Sequence, residues 1–289
     1  MNGILLIDKP AGMTSHDVVF RVRKILGQKK VGHAGTLDPM ATGILVILVG
    51  KATKLSDYLL NKEKRYTAGI LLGQETDTYD LEGTILRQCI PNVSQQNFID
   101  VLKYFKGVQE QIPPMYSAIK QNGKKLYELA RKGVEVQRQG RKIEILSLSL
   151  VSFDGKKAVV DVSCSKGTYI RSLAHDIGEK LGCGACLFSL RRTACGQFTE
   201  QMAVSLQQLE TGSYPLLSTH SVLPFPSITV EGEVKRKIWN GTAVPLKEAY
   251  FSGKVKIFSP EGSFLCVAKA EPRPYGCFLQ PESMFLEEG

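Results

Sequence analysis

The sequence contains no apolar run long enough to cross a membrane and no glycine motif that would bind nucleotide phosphates. Its longest apolar runs, such as residues 44–49, are far shorter than a bilayer requires. The N-terminus lacks the basic start and the long apolar stretch of a signal peptide. Neither a Walker A loop nor a G-x-G-x-x-G fingerprint occurs. We therefore expect a soluble cytoplasmic protein with no membrane partner.

The cysteines are scattered, and their spacing indicates neither a disulfide framework nor a complete metal site. Seven cysteines, an odd number, are scattered over 289 residues, which favours free thiols. Cys183 and Cys186 form a lone C-x-x-C without the second pair or the histidines that a zinc site needs. A redox or metal role for this pair is the alternative to a structural role, which we favour. The turn at 77–82 lacks the EF-hand pattern, so no metal is predicted.

Basic residues are concentrated in two segments of a chain whose net charge is +9. Residues 229–289 carry eight basic and eight acidic side chains, so the excess lies upstream of them. Residues 18–36 hold five Lys or Arg and no acid, and residues 114–142 hold eight against two acids. Such clusters are typical of a surface that binds a nucleic-acid backbone. Solvated helix faces are the alternative, although two dense clusters favour nucleic acid.

Hydrophobic periodicity predicts an α+β fold, and the length allows one large and one small domain. The predicted strands are 4–7, 44–49, 64–72, 83–86, 143–153 and 158–163. The predicted helices are 16–26, 51–60, 94–105 and 170–181. Residues 111–142 form a basic excursion with weak helical periodicity. Residues 224–226 are the predicted linker to a small β-barrel-like module of short strands.

A glycine-rich loop at residues 32–43 presents a single carboxylate, Asp38, just before an apolar strand. Glycine allows close backbone approach, and Pro39 pushes Asp38 toward an extended conformation. A lone carboxylate in such a loop can act as nucleophile or general base. The alternative is an ordinary turn, because Asp followed by Pro is a common turn initiator.

Four further side chains are candidates for the same site, although sequence spacing cannot show that they converge. An Arg such as Arg171 can keep a carboxylate ionised through charge-assisted hydrogen bonds. His33, Tyr66 and Tyr169 offer flat faces on which a base can stack. Each has a plainer alternative: Tyr66 in the core, Arg171 at the surface of a first helical turn, and His33 bonded within its loop.

The motifs together resemble those of the bacterial TruB-type tRNA pseudouridine synthase family. The loop at 32–43 carries the resemblance, and further motifs support it in family order. They are residues 8–15, 64–66, 73–80, 165–173 and 190–193. The resemblance implies a pseudouridine synthase core with a long mixed, mostly antiparallel sheet flanked by helices, over residues 1–223. It also implies an RNA-gripping insertion at about 111–142 and a small β-rich PUA-like RNA-binding domain at 229–289.

The same resemblance implies isomerisation of the tRNA T-loop uridine, conventionally position 55, to pseudouridine. Asp38 corresponds to the catalytic aspartate, which attacks the ribose or the base or assists glycal formation. Tyr66 corresponds to the tyrosine beneath the flipped base, a candidate for the last proton removal, and Arg171 to the arginine that pairs with the aspartate. His33 corresponds to the histidine that helps to open the T-loop of the RNA and that stacks there. Tyr169 and Leu190 correspond to residues of the substrate pocket.

The implied partner is the T-arm and elbow of tRNA, bound by a monomer without cofactor or metal. The residues expected to contact the RNA backbone are Lys9, Lys124, Lys125, Arg131, Lys132 and Arg141. Two other readings of the residues stay open. A non-catalytic RNA-binding protein would explain the charge and the aromatic residues. A nucleoside or glycoside hydrolase would need a second carboxylate beside Asp38, which only the fold could supply.

Overall fold

A computed structural model describes residues 1–121, 123–247 and 251–285. Asn122 of the predicted insertion, and residues 248–250 and 286–289 of the predicted C-terminal domain, lie outside the described residues. No helix within the described residues is long and apolar enough to cross a membrane. The structure describes all seven cysteines, and each is a free thiol.

Nine strands of the described residues form the main sheet. They are β1 (Gly3–Lys9), β2 (Val31–His33), β3 (Thr42–Val49), β4 (Lys64–Leu72), β7 (Gly107–Gln111), β10 (Arg141–Phe153), β11 (Lys157–Cys164), β12 (Ala185–Cys195) and β13 (Phe198–Thr199), in the order β1-β3-β12-β4-β11-β10-β7 with β2 on β3 and β13 on β12. Two small hairpins lie outside this sheet, namely β5 (Gln74–Thr76) with β6 (Ile85–Gln88), and β8 (Lys120–Gln121) with β9 (Lys124–Lys125). The pair β12–β3 is parallel and the other pairs of the main sheet are antiparallel.

Helices cover this sheet, and their ends follow local sequence signals. The helices of the large domain are α1 (Ser15–Leu26), α2 (Ser56–Leu60), α3 (Gln95–Tyr104), α4 (Leu126–Ala130), α5 (Ile170–Lys180) and α6 (Leu206–Glu210). Thr14 and Asp17 form a capping box at the start of α1, and Gly27 ends it in the left-handed conformation. The predicted helix at 51–60 is a 3-10 helix, Gly50–Leu55, followed by α2.

Strands β1 and β3 are apolar on both faces because both faces are covered. Leu5 and Ile47 belong to the main core beneath α1 and α5. Ile4 and Leu48, on the opposite face, belong to a second core cluster that includes Val267 and Phe285 from the C-terminal region. The near-continuous hydrophobic runs in these strands follow from this double burial.

The C-terminal region is a five-stranded sheet with one helix. Its strands are β14 (Ser227–Thr229), β15 (Val244–Lys247), β16 (Gly253–Phe258), β17 (Phe264–Arg273) and β18 (Gly276–Met284), and its helix is α7 (Gly232–Trp239). An apolar cluster of its own lies inside it. Its β-rich character agrees with the sequence expectation, while its PUA-like assignment and the domain boundaries at 1–223 and 229–289 stay predictions.

Candidate active site

A cavity of about 540 Å³ opens beside Asp38, between the 32–43 loop and the start of α5. Six of the residues proposed from the sequence line it. They are Asp38, Tyr66, Arg141, Tyr169, Arg171 and Leu190. They come from the loop before β3, from β4, β10 and β12, and from the turn that opens α5. The fold therefore brings together side chains that are up to 152 positions apart, from Asp38 to Leu190.

Asp38 and Arg171 form a two-point ion pair at this cavity. Arg171 Nε donates to Asp38 Oδ2 at 2.8 Å, and Arg171 Nη2 donates to Asp38 Oδ1 at 3.2 Å. The Arg171 side chain is 5% exposed and the Asp38 side chain is 32% exposed. A fork of this kind fixes the carboxylate in one plane. Asp38 thus combines a held orientation with access to the cavity.

Two backbone carbonyl groups and a second carboxylate also hold the Arg171 guanidinium. Nη1 donates to the Thr78 carbonyl oxygen at 2.9 Å, and Nη2 donates to the Tyr116 carbonyl oxygen at 2.8 Å. The buried carboxylate of Asp80 lies 3.6 Å from Nη1. Sequence reasoning did not propose Asp80, although it stands in the 73–80 motif. Its position makes Arg171 a bridge between a buried carboxylate and one that faces the cavity.

Arg192, which sequence reasoning also did not propose, fixes the loop that carries Asp38. It is 1% exposed, and its guanidinium donates to the carbonyl oxygens of Gly35, Thr36 and Ile44 at 3.2, 3.3 and 2.8 Å. Gly43 lies against the Arg192 backbone and has to be glycine. The φ of Gly43 is +97°, and a Cβ on Gly43 would collide with the Arg192 backbone. The 190–193 motif contained the signal, but only the fold shows which arginine turns inward.

Lys9 corrects one prediction, because it is buried and does not face the solvent as an RNA-backbone contact would. Its exposure is 0%, and its ammonium donates to the carbonyl oxygens of Pro10, Met13 and Pro39 at 2.8, 2.6 and 3.1 Å. Pro39 directly follows Asp38, so Lys9 holds the loop that carries Asp38. Burial lowers the pKa of Lys9 to about 8, although Asp38 acts in the opposite direction.

This burial predicts an alkaline limit to activity. As pH rises through about 8, Lys9 loses a proton and with it one of the three N–H donors that hold the Asp38 loop, so we expect the rate of isomerisation to fall with a one-proton dependence. The fold should not weaken, because the cost of burying the ammonium is relieved as pH rises from about 8 toward the ordinary 10.5. A pH–rate profile checks this, with thermal unfolding at each pH.

The Lys9→Met variant should react slowly at every pH, and its rate should not show the fall above about pH 8. Lys103→Met is the matched control, because Lys103 is exposed and pairs only with Asp100, and it should keep the wild-type profile. An unchanged alkaline limb in Lys9→Met would contradict the assignment.

Of the two tyrosines of the cavity, Tyr66 is buried and Tyr169 is half-buried. Burial raises the pKa of Tyr66 to about 12 despite the nearby Arg192 guanidinium. Burial likewise raises the pKa of Tyr169. Gln111 on β7 clamps the backbone of Tyr169 from both sides, accepting from its N–H at 2.8 Å and donating to its carbonyl at 3.0 Å. Both rings are therefore fixed surfaces beside Asp38.

His33 lies at the end of β2 and is not among the residues that line the cavity. Its Nδ1 is buried and has no hydrogen-bond partner among the described residues. Burial, then the charges of Arg192 and His16, lower its pKa. The structure thus places it behind the loop, and its predicted stacking role stays a prediction.

The four insertion residues proposed to bind RNA lie away from the cavity lining, around a short helix. Lys124, Arg131 and Lys132 are exposed, whereas Lys125 is half-buried. Lys125 Nζ donates to the Tyr127 hydroxyl at 3.2 Å, and Arg131 lies over the Tyr127 ring at 5.5 Å. Within the described residues, no group of three or more His, Cys, Asp or Glu side chains is placed to hold a metal ion.

Two family models match consecutive parts of this chain. The N-terminal domain model of TruB family pseudouridylate synthase matches residues 23–170, and the C-terminal domain model of tRNA pseudouridylate synthase B matches residues 171–219. Residues 220–289 lie beyond both models.

Curated relatives named tRNA pseudouridine synthase B are similar over most of the chain. The one from Clostridium perfringens strain 13 is 41% identical over 298 residues and covers 100% of both chains. The one from Clostridium kluyveri is 44% identical over 259 residues, 89% of each chain. The one from Alkaliphilus oremlandii is 52% identical over 210 residues, which is 73% of this chain and 70% of the relative.

Solved structures share the fold. A crystal structure of a Cbf5–Nop10–Gar1 complex is 26% identical with a TM-score of 0.73, covering 98% of this chain and 85% of the other. An H/ACA RNP bound to a substrate RNA containing 2′-deoxyuridine is 24% identical with a TM-score of 0.72, covering 99% and 85%.

This chain belongs to the TruB family of pseudouridylate synthases. The family resemblance, the α+β fold class and the isomerase class predicted from the sequence are thereby confirmed.

Proposed function

We propose that this enzyme isomerises the T-loop uridine of tRNA, at position 55, to pseudouridine, with Asp38 as the catalytic aspartate. The observation that carries the proposal is the Asp38 carboxylate held by Arg171 at the wall of a cavity whose other sides include Tyr66 and Tyr169. The relatives that cover the chain are named for action on tRNA. A uridine inside a folded T-loop must be extruded to reach such a cavity, which costs a few kcal/mol.

The chemistry needs one ionised carboxylate and no change of redox state. Asp38 attacks the ribose or the base, or assists glycal formation, and the uracil detaches, turns and rejoins through C5. A base then removes the proton from C5. If that position carries tritium, the tritium is released to solvent in this step. Both tyrosine rings offer flat surfaces that hold the freed uracil in place while it turns.

The pKa of Tyr66, raised to about 12, changes the role proposed for its hydroxyl. A phenol with this pKa is almost wholly protonated near pH 7, so it is a poor base for the C5 proton. We propose that Tyr66 acts through its ring, and that the Asp38 carboxylate takes the C5 proton after the new bond has formed.

The cavity geometry favours isomerisation over hydrolysis. A two-carboxylate hydrolase needs both acids to face the scissile bond. Asp80 is the second carboxylate near Asp38, but it is 4% exposed, lies behind Arg171 and does not line the cavity. It therefore has no access to a water in the cavity.

Tritium release from C5-labelled uridine in a T-arm hairpin tests the function. We expect the wild-type chain to release tritium and chromatography of the digested RNA to show pseudouridine. Free uracil would favour the hydrolase, and binding without release would favour an RNA-binding protein without activity.

Further proposals concern the surfaces that contact RNA, the oligomeric state and the cellular compartment. We propose that the insertion around α4 and the exposed Arg141 contact the tRNA backbone, and that the C-terminal sheet is a PUA-like RNA-binding domain. We further propose that the protein is a monomer. We place it in the cytoplasm, because seven free thiols are typical of a reducing compartment.

Neutralising the insertion should weaken tRNA binding and flatten its dependence on salt. Each lost phosphate contact reduces the slope of log K against log salt by about 0.7–0.9, so four lost contacts should be easily measured. The variant replaces four insertion residues with glutamine: Lys124, Lys125, Arg131 and Lys132. Filter binding at several salt concentrations gives the slope.

The matched control removes the same charge from exposed lysines elsewhere. These are Lys103, Lys106, Lys156 and Lys157. The control should keep the wild-type slope. Equal slopes for the insertion variant and the wild type would mean that the insertion does not touch phosphates.

A further inference from the structure

Tyr79 stands next to Asp80 in a backbone conformation that is unfavourable for a residue with a side chain. Its φ is +63°, and it is the one non-glycine residue with positive φ in the part of the chain that the structure describes. The left-handed conformation costs a non-glycine residue about 1–2 kcal/mol. Such a cost persists only where neighbouring contacts enforce it.

The contacts that enforce it belong to the turn between β5 and β6. Thr78 Oγ1 donates to Asp80 Oδ1 at 2.6 Å, and Thr76 Oγ1 donates to the Asp80 carbonyl oxygen at 2.6 Å. The turn is bonded to β12 on either side of Asp80, because Leu187 N–H donates to the Tyr79 carbonyl and Leu81 N–H donates to the Leu187 carbonyl.

This turn directs two acceptors at Arg171. The Thr78 carbonyl and the Asp80 carboxylate flank Tyr79 in the chain, and both face Nη1 of Arg171, at 2.9 and 3.6 Å. The backbone reversal at Tyr79 is what turns them to the same side. The opposite edge of the guanidinium, with Nε and Nη2, is then free to hold Asp38.

The Tyr79 ring connects the turn to the helix that carries Arg171. It stacks on the imidazole of His175 with ring centroids 4.1 Å apart and an angle of 12° between planes. His175 follows Arg171 by four residues in α5, so both side chains lie on one face of the helix. Glu75 Oε1 on β5 approaches His175 Nδ1 at 3.5 Å from the other side.

Two observations identify the ring face as the part of Tyr79 that acts. The Tyr79 hydroxyl makes no hydrogen bond to any residue within 1–121, 123–247 or 251–285. Neither Tyr79 nor His175 lines the cavity beside Asp38. Neither residue is therefore placed to touch a substrate in this cavity.

We propose that the stacked pair Tyr79–His175 is a positioning device that clamps the Thr78–Asp80 turn onto α5 and so fixes the Arg171 fork in the orientation that holds Asp38. Both are positioning residues, and the inference rests on the proposed function of Asp38. Losing a stacked aromatic pair should therefore slow the reaction by up to about tenfold, if the whole energy of the pair serves to position Arg171.

The test compares variants that keep or remove the ring stack. Single-turnover tritium release should fall about three- to tenfold in Tyr79→Ala and in His175→Ala, with the RNA dissociation constant within about twofold of wild type. Tyr79→Phe and His175→Phe keep two facing rings and should retain at least about half the wild-type rate. The double alanine variant should be no slower than the slower single variant, because each removes the same interaction.

A second measurement does not depend on activity. Hydrogen exchange at the Leu81 and Glu82 amides, which bond to the Leu187 carbonyl and to Asp80 Oδ1, should become faster in both alanine variants and stay slow in both phenylalanine variants. Unchanged exchange in the alanine variants would overturn the proposal even if the enzyme proved inactive on this RNA.

Other outcomes would overturn it as well. Alanine variants that react at the wild-type rate would show that the stack does not position Arg171. A His175→Phe variant as slow as His175→Ala would show that the imidazole acts through Glu75 and not through stacking. Equal losses of rate and of RNA affinity would show an RNA contact instead. Wild-type tritium release, measured alongside, tests the proposed function separately.

Discussion

Replacing Asp38 with asparagine is expected to lower the single-turnover rate of tritium release by at least about 10³-fold. The amide is neutral and is neither a nucleophile nor a base, so both proposed steps at Asp38 fail. The amide oxygen still accepts one bond from Arg171, so the loss of unfolding free energy should stay below about 1.5 kcal/mol. RNA affinity should not fall, because the substitution removes a negative charge that opposes the binding of phosphates.

A matched control is Asp100→Asn on α3. Asp100 is an exposed carboxylate paired with Lys103, so its loss should leave the rate unchanged. Tritium release by Asp38→Asn within tenfold of wild type would refute the role of Asp38. A loss of rate together with a collapsed unfolding transition would show instead that the loop is structural.

Replacing Arg171 with methionine should produce two separable losses. The rate should fall by at least about 10²-fold, because Asp38 loses the two hydrogen bonds that orient it. The fold should also lose about 3–5 kcal/mol, because the buried carboxylate of Asp80 is left without a cation. Urea unfolding and single-turnover rates measure the two effects on the same sample.

The double variant Arg171→Met with Asp80→Asn separates stability from catalysis. Removing the charge of Asp80 removes the buried uncompensated carboxylate, so much of the lost stability should return. The rate should stay low, because nothing replaces the guanidinium at Asp38. A double variant that recovers both would show that Arg171 acts on the reaction only by stabilising the fold.

The sequence predicts the elements of this fold well wherever burial follows a regular period. The helix predicted at 16–26 is α1, and the strands predicted at 64–72 and 143–153 are β4 and β10 with ends shifted by at most two residues. Apolar spacing specifies these elements locally. The split of 51–60 into a 3-10 helix and α2 was not predictable, since both share similar spacing.

The site was predictable only where a motif contains a residue of recognisable chemistry. Asp38 and Arg171 come from such motifs, and the fold joins them. Asp80 and Arg192 stand in motifs too, but their roles depend on which side chain turns into the core, which sequence spacing does not specify. Lys9 was misplaced for a related reason: a lysine is ordinarily exposed, and only three converging carbonyl groups make its burial tolerable.

The second core cluster, which joins the two sheets, has a consequence for how the chain holds together. Val267 and Phe285 of the C-terminal region cover the face of β1 and β3 that carries Ile4 and Leu48. This apolar face of β1 and of β3, the strand that follows Asp38, is therefore covered by residues more than 200 positions further along the chain. The C-terminal region is therefore part of the core of the large domain, and a chain shortened before Ser227 would expose this apolar face of β1 and β3 to water.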